Sequence, residues 1–258
     1  MSYKRLVYQE VAAQGNSLDP LLTNKQEYAY QWLKSSIIEN KIKPSTLLVE
    51  RHLSEMLHIS RTPVRTALMR LADEGFVVIS PGRGMVVAPL YKHDVVDVYT
   101  LRKALDVLAI ELYIGRATKA SIQQMADAFD AMEEAYHLED YAEVAQQDEV
   151  FHGIYIHNTG NGRLEAMLDG LKDQSNRMRH LVQEDHTRIM ASRREHQAIL
   201  EAVEAKDVEK ACEAVQQHMI STMEYHLQKL KNDESATKLC GFQENAACFH
   251  KESRRIFF

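Results

Sequence analysis

The stretch "LHISRTPVRTALMRLADEGFV", residues 57–77, decides how the first third of this chain folds. Placed on a helix at about 100° per residue, Val64, Ala67, Leu68 and Leu71 gather on one side. Arg61, Thr62, Arg65, Thr66 and Met69 share the other. Ser60 stands where a helix cap is expected, and Pro63 falls in the first turn, where a missing N–H is tolerated. One face is therefore core. The other sets two arginines a turn apart beside hydroxyls and the N–H groups of a helix start. Such an edge suits DNA, because hydroxyls and N–H groups take phosphate oxygens and a guanidinium can take guanine O6 and N7 in the major groove. Ser60, Arg61, Thr62 and Arg65 are the expected contacts.

Working outward, residues 25–40 ("KQEYAYQWLKSSIIEN") read as a helix with Ala29, Trp32, Leu33, Ser36 and Ile37 on one face. A loop with Pro44 leads to a short helix near 50–57, with Leu53, Met56 and Leu57 inward. The linking "HIS" is short enough to force a turn into the next helix. Downstream, "FVVI", "SPGRG" and "MVVA" read as strand, turn and strand. Gly82 lets the main chain at this tip come close to a partner, and Arg83 can track the DNA backbone or minor groove. Residues 24–90 are thus expected to form a winged helix-turn-helix.

Beyond Pro89 the chain has no proline, and a boundary is drawn near Pro89–Lys92. Helices are expected at 92–117, 119–136, 139–157, 161–184, 188–205 and 207–231, broken by short polar connections. Short connections imply antiparallel neighbours, so 91–231 should be an all-α bundle of about six helices. The fold class is therefore mainly α. Residues 1–23 and 232–258 lack periodicity and read as an extension and a tail; Cys240, Cys248 and His250 in the tail suggest no role.

The bulk numbers fit this division. At 258 residues, with 45% hydrophobic and 26% charged residues, the chain has ample material for a packed core. Its apolar runs are far too short to span a membrane, and "MSYKRLVYQE" at the N-terminus lacks a secretory apolar core. Three cysteines without metal-type spacing point to a reducing compartment, the cytoplasm. Residues 1–90 carry 11 of the 31 lysines and arginines but only 8 of the 37 acids. That part is net positive and the remainder net negative, which places a polyanion partner on the first domain.

Nine of the 12 histidines lie between positions 93 and 226. In "DEVFH", Asp148 and His152 stand at i and i+4 on one helix face. "REHQAIL" brings His196 on a later helix and "VQQHMIS" brings His218 on the last. Three imidazoles and one carboxylate would suit a divalent transition metal such as zinc, manganese or nickel. A lone histidine is as readily a satisfied core group, so the spacing leaves that reading open.

Residues 53–79, "LSEMLHISRTPVRTALMRLADEGFVVI", resemble the DNA-binding domain of GntR-family bacterial transcription regulators, over roughly 25–90. The resemblance puts DNA-contacting positions on Arg51, Ser60, Arg61, Thr62 and Arg65, with Gly82 and Arg83 in the wing. Two positions depart: His58 stands where the family has glycine, and Thr66 where it has glutamate. Residues 93–231 resemble the FCD ligand-binding domain of the FadR branch, through "LRKAL", "DEVFHGIYIHNTGN", "REHQAILEAVEAKD" and the late "QQHM". Six helices rather than seven are similar to the VanR-like group. The resemblance implies Asp148, His152, His196 and His218 as metal ligands and Arg102 as a clamp on a small organic acid, such as lactate, citrate, a sugar acid or an acyl compound. Asn176 in "DQSNR" is a candidate further polar contact. Tyr99, in the turn before Arg102, either lines the same pocket or, as is commoner for an aromatic at helical spacing, belongs to the core. Asp106 departs from a frequent glutamate.

The expectation is a homodimeric regulator, a repressor on the family's common pattern, reading a pseudo-palindromic operator because two-fold protein symmetry requires two-fold DNA symmetry. Two alternatives stand beside it. The ion alone could be the signal. Or the bundle could be an enzyme, although no paired Glu-x-x-His surrounds the four donors, and Glu149 should turn about 100° from Asp148.

Overall fold

The computed structural model describes residues 25–80, 82–182 and 185–232. The expected N-terminal extension, and the tail with Cys240, Cys248 and His250, lie outside the described residues. Among the described residues the order is α1 (Lys25–Ile38), β1 (Leu47–Leu48), α2 (Glu50–Met56), α3 (Arg61–Asp73), β2 (Val77–Ser80) and β3 (Gly84–Val87). Six helices follow: α4 (Lys92–Ile114), α5 (Lys119–His137), α6 (Tyr141–His157), α7 (Gly162–Val182), α8 (His186–Glu204) and α9 (Val208–Asn232).

The first group is a winged helix-turn-helix. Val64, Ala67, Leu68 and Leu71 of α3 are buried against Trp32, Leu33 and Ile37 of α1 and Leu53 of α2. The helix ends in a glycine-closed cap. Gly75 (φ 80°) donates to the Ala72 carbonyl, and Phe76, itself buried, donates to Leu71. His58 adopts the same left-handed conformation (φ 54°) after α2, and Ile59 N–H closes the turn on Ser54. The turn is thus the one a glycine makes most easily, here held by histidine at a cost of about 1–2 kcal/mol. The wing hairpin pairs β2 with β3 antiparallel, Val77 opposite Val87 and Ser80 opposite Gly84. A third strand not foreseen from sequence, β1, pairs Leu47 with Val86 and makes the order β1-β3-β2. Its two residues are too few to show an alternating pattern.

The six later helices form a bundle whose core joins Ile110 and Tyr113 of α4, Met125 of α5, Phe151 and Tyr155 of α6, Ile199 and Val203 of α8, and Val215 of α9. A smaller cluster, Val95, Tyr99, Met178 and Met219, lies where α4, α7 and α9 meet. No helix among the described residues is long and apolar enough to cross a membrane.

The two domains touch through α7. Lys34 of α1 pairs with Asp173 at 2.5 Å, Gln174 donates to the Glu74 carbonyl at 2.8 Å, and Arg177 donates to the Ala88 carbonyl. Burial holds the Arg177 guanidinium down to about 10 despite Asp94 nearby.

Candidate functional site

On the side of α3 away from the core, Ser60, Arg61, Thr62, Arg65, Thr66 and Met69 are all exposed. Ser60 is the N-cap residue by position and backbone, but its hydroxyl bonds no backbone N–H of its own helix. Arg51 lies 3.7 Å from Glu55, and Arg65 lies 3.9 Å from Glu50, both exposed pairs that contribute little to stability. Gly82 (φ 73°) and Arg83 form the exposed wing tip.

In the bundle, the four donors expected from the sequence come together. Asp148 and His152 project from one face of α6, His196 comes from α8 and His218 from α9, and all four are buried. One ring nitrogen from each histidine lies within 4.8 Å of the others. His152 Nε2 and His196 Nε2 are 3.0 Å apart, and Asp148 Oδ1 is 3.3 Å from His196 Nε2. Two nitrogens each about 2.1 Å from one ion at a right angle would sit about 3.0 Å apart, so the set is already spaced to share an ion.

The partners behind the rings fix which nitrogen faces inward. Tyr155 OH donates to Asp106 Oδ1 at 2.7 Å, so its oxygen accepts from His152 Nδ1 at 2.8 Å. That leaves the His152 Nε2 lone pair facing the centre. Glu195 Oε2 lies 2.7 Å from His218 Nδ1, and a carboxylate only accepts, so His218 likewise turns Nε2 inward. Arg188 grips Glu195 through both Nη atoms, at 3.0 and 2.9 Å, and also donates to Thr222. Arg102 holds Asp106 at 3.1 Å and Ser175 Oγ at 2.9 Å.

Charge in the cluster follows from burial. Burial pushes the His196 imidazole down to about 3, with His218 adding to the effect, and burial likewise drives His152 well below its usual value. Both rings are neutral at pH 7, the form a metal requires. Burial raises the Asp148 carboxyl, but Arg179 and the neighbouring imidazoles outweigh it and hold Asp148 well below the usual carboxylate range. Glu195 is pushed up by burial and pulled further down by its bonds to His218 and Arg188.

A cleft opens from the centre between α6 and α7. Its empty space, counted out into open solvent, is about 520 Å³, yet the cleft as a whole has little more than room for a water or two. Arg102, Asn176 and Tyr99, the effector contacts expected from the sequence, all line it. Arg102 is buried and gives three of its five N–H donors to Asp106 and Ser175. Asn176 donates to Glu149 Oε1 at 2.7 Å. Glu149, expected to turn away from Asp148, lines the same cleft because α7 brings Lys172 and Asn176 to meet it. Arg179 pairs with Asp148 Oδ2 at 2.8 Å. Sequence reading missed Tyr155, Glu195, Arg188, Lys172 and Arg179. Only Tyr155, one turn beyond His152 in "FHGIY", carried a signal that spacing could have revealed.

Replacing Tyr155 by phenylalanine keeps the packing but leaves His152 Nδ1 without its acceptor. Loss of such an outer partner is expected to weaken metal affinity about ten- to hundredfold, read by competition with a chelating dye. Unchanged affinity would show that His152 does not face an ion through Nε2.

A winged helix-turn-helix with a basic, hydroxyl-bearing edge, followed by a helical domain with a buried polar centre, defines a DNA-binding transcription regulator. Residues 25–87 match the gntR family of bacterial regulatory proteins, and residues 97–221 match the FCD domain. The chain belongs to the gntR family. It is 32% identical over 131 residues to an HTH-type transcriptional regulator in the TAR-I ttuE-ttuC' intergenic region of Agrobacterium vitis, covering 50% of this chain and 77% of that one. It is 26% identical over 187 residues to the gluconate operon transcriptional repressor of Bacillus subtilis, covering 69% and 75%. Among solved structures, McbR/YncC of E. coli shares the fold with a TM-score of 0.69 at 20% identity, covering 81% of this chain and 100% of that chain. The family and these relatives are regulators, not enzymes. The FCD match and the buried histidine triad agree that the bundle could hold a metal ion.

Proposed function

We propose that this protein is a homodimeric, cytoplasmic transcriptional repressor whose operator affinity is set by a small organic acid bound at a divalent metal centre in the helical domain. Arg51, Ser60, Arg61, Thr62 and Arg65, with Gly82 and Arg83 of the wing, meet one half-site of a pseudo-palindromic double-stranded operator, and the second protomer meets the other. Asp148, His152, His196 and His218 hold the ion, which is zinc, manganese or nickel by donor type. When bound, the ion supplies a Lewis-acid seat for a carboxylate oxygen. Asn176 lines the path to that seat. Arg102 lines the cleft as a clamp for the acid and also steadies Asp106 and through it Tyr155 and His152. Arg179, the more exposed of the two and paired with Asp148, is a second guanidinium placed to hold the acid. Repression is supported by the gluconate operon repressor among the relatives.

The observation that carries this reading is the double engagement of α7. One face reaches the centre through Arg179 on Asp148 and Ser175 on Arg102. The other holds the DNA-binding domain through Asp173, Gln174 and Arg177. A ligand that takes Arg179 from Asp148 therefore acts on the helix that orients the DNA-binding domain. Replacing Asp173 and Gln174 together by alanine removes two of the three contacts of this bridge, leaving Arg177 on Ala88, without touching the DNA edge or the donors. The variant is expected to keep metal and operator binding while its coupling to an acid, typically about 1–3 kcal/mol, falls; an undiminished response would contradict the route. In a second reading the ion alone is the signal, which the narrow depths of the cleft favour; it predicts a response to chelation and none to any acid.

A further inference from the structure

Glu149 occupies an unusual seat for a helix-surface carboxylate. Its two oxygens are each taken by a different donor from α7: Asn176 Nδ2 on Oε1 at 2.7 Å and Lys172 Nζ on Oε2 at 2.8 Å. Both donors line the cleft that leads to the histidine centre. Lys172, Asn176 and Arg179 follow one another at i, i+4 and i+7, a stripe along one face of α7 about 10 Å long. Arg179, at the inner end, pairs with Asp148. At the outer end, Lys172 and Asn176 form a two-pronged carboxylate seat with a carboxylate of the chain in it.

We infer that Lys172 and Asn176 are a second acid-binding subsite, filled by Glu149 until a ligand with two acid groups displaces it. This rests on the reading above, in which a first carboxylate sits at the ion and Arg179. Three observations support the exchange. The Glu149 side chain is 41% exposed, so it can swing into solvent without a desolvation cost. The cleft has little more than room for a water or two, so a larger ligand must displace side chains that line it, and Glu149, Lys172 and Asn176 are among these. With a divalent ion in place, the ion, Arg179 and Lys172 outweigh Asp148 and Asp169 once Glu149 has left, which favours a dianion over a monoanion. Asn176 then offers its amide to a hydroxyl or to the outer acid.

The test uses the metal-loaded full chain and two series of saturated straight-chain acids of increasing length, monocarboxylates and α,ω-dicarboxylates, with binding read by isothermal titration. At least one dicarboxylate is expected to bind about tenfold more tightly than the monocarboxylate of the same length, the size of one charge-assisted contact. Glu149→Ala, at an exposed helix position where alanine is favourable, should tighten the dicarboxylate severalfold and leave monocarboxylates unchanged. Lys172→Met should reduce the dicarboxylate to the level of its monocarboxylate partner. Equal binding of both series, or equal weakening of both by Lys172→Met, or no gain in Glu149→Ala, would overturn the subsite while leaving the ion-bound acid in place. Failure of both series to bind would remove the effector reading, and the subsite with it.

Discussion

Replacing His196 and His218 together by alanine is expected to leave the purified protein without its bound ion, while the winged domain still folds and still binds DNA. The two rings come from different helices, α8 and α9, and both are buried. An outer partner alone is worth about ten- to hundredfold in metal affinity, and losing two of four direct donors should exceed that. Metal analysis after dialysis reads the result. Phe151 packs against the His196 ring, so the double variant also loses some packing, and circular dichroism checks that the bundle stays folded. Retained metal in a folded double variant would show that the donors lie elsewhere.

The second large effect is on DNA. Arg65→Ala is expected to weaken operator binding about ten- to hundredfold, the 1–3 kcal/mol of a bidentate base contact, without altering metal content. Its side chain is 69% exposed and its loose pair with Glu50 at 3.9 Å contributes little to stability, so the loss would be one of recognition and not of folding. Arg61→Ala separates the two kinds of contact. If Arg61 grips phosphate, binding should fall evenly across DNA sequences and the salt slope should drop by about one; if it reads a base, specificity should relax at one position. Unchanged operator affinity in both variants would remove α3 as the recognition helix.

Much of this was legible in the sequence because it is periodic. The wheel of residues 61–71 separates Val64, Ala67, Leu68 and Leu71 from Arg61 and Arg65, and the structure buries the first set and exposes the second. Asp148 and His152 could be paired from their i, i+4 spacing alone. The rest depends on tertiary packing, which leaves no periodic trace. Glu195 sits beside His196 in sequence yet serves His218 on another helix. Arg179 and Lys172 look like ordinary charges on an exposed helix face until α6 is laid against them. Arg102, expected at the ligand, lines the cleft, but its further bonds to Asp106, one turn along the same helix, and to Ser175 of α7 left no trace in the spacing. The bridge from α7 to the winged domain uses backbone carbonyls of Glu74 and Ala88 as acceptors, and a backbone acceptor has no residue signature at all.

The central claim is that an acid held at the metal centre controls DNA binding. The most direct measurement is operator affinity, by fluorescence anisotropy, of the metal-loaded and the chelated full chain across a titration of a carboxylic acid chosen by thermal shift. The account predicts that the acid changes operator affinity about five- to 150-fold in the metal-loaded protein and has no effect after chelation. Operator affinity that ignores the acid in both forms, or a response that survives removal of the metal, would contradict it.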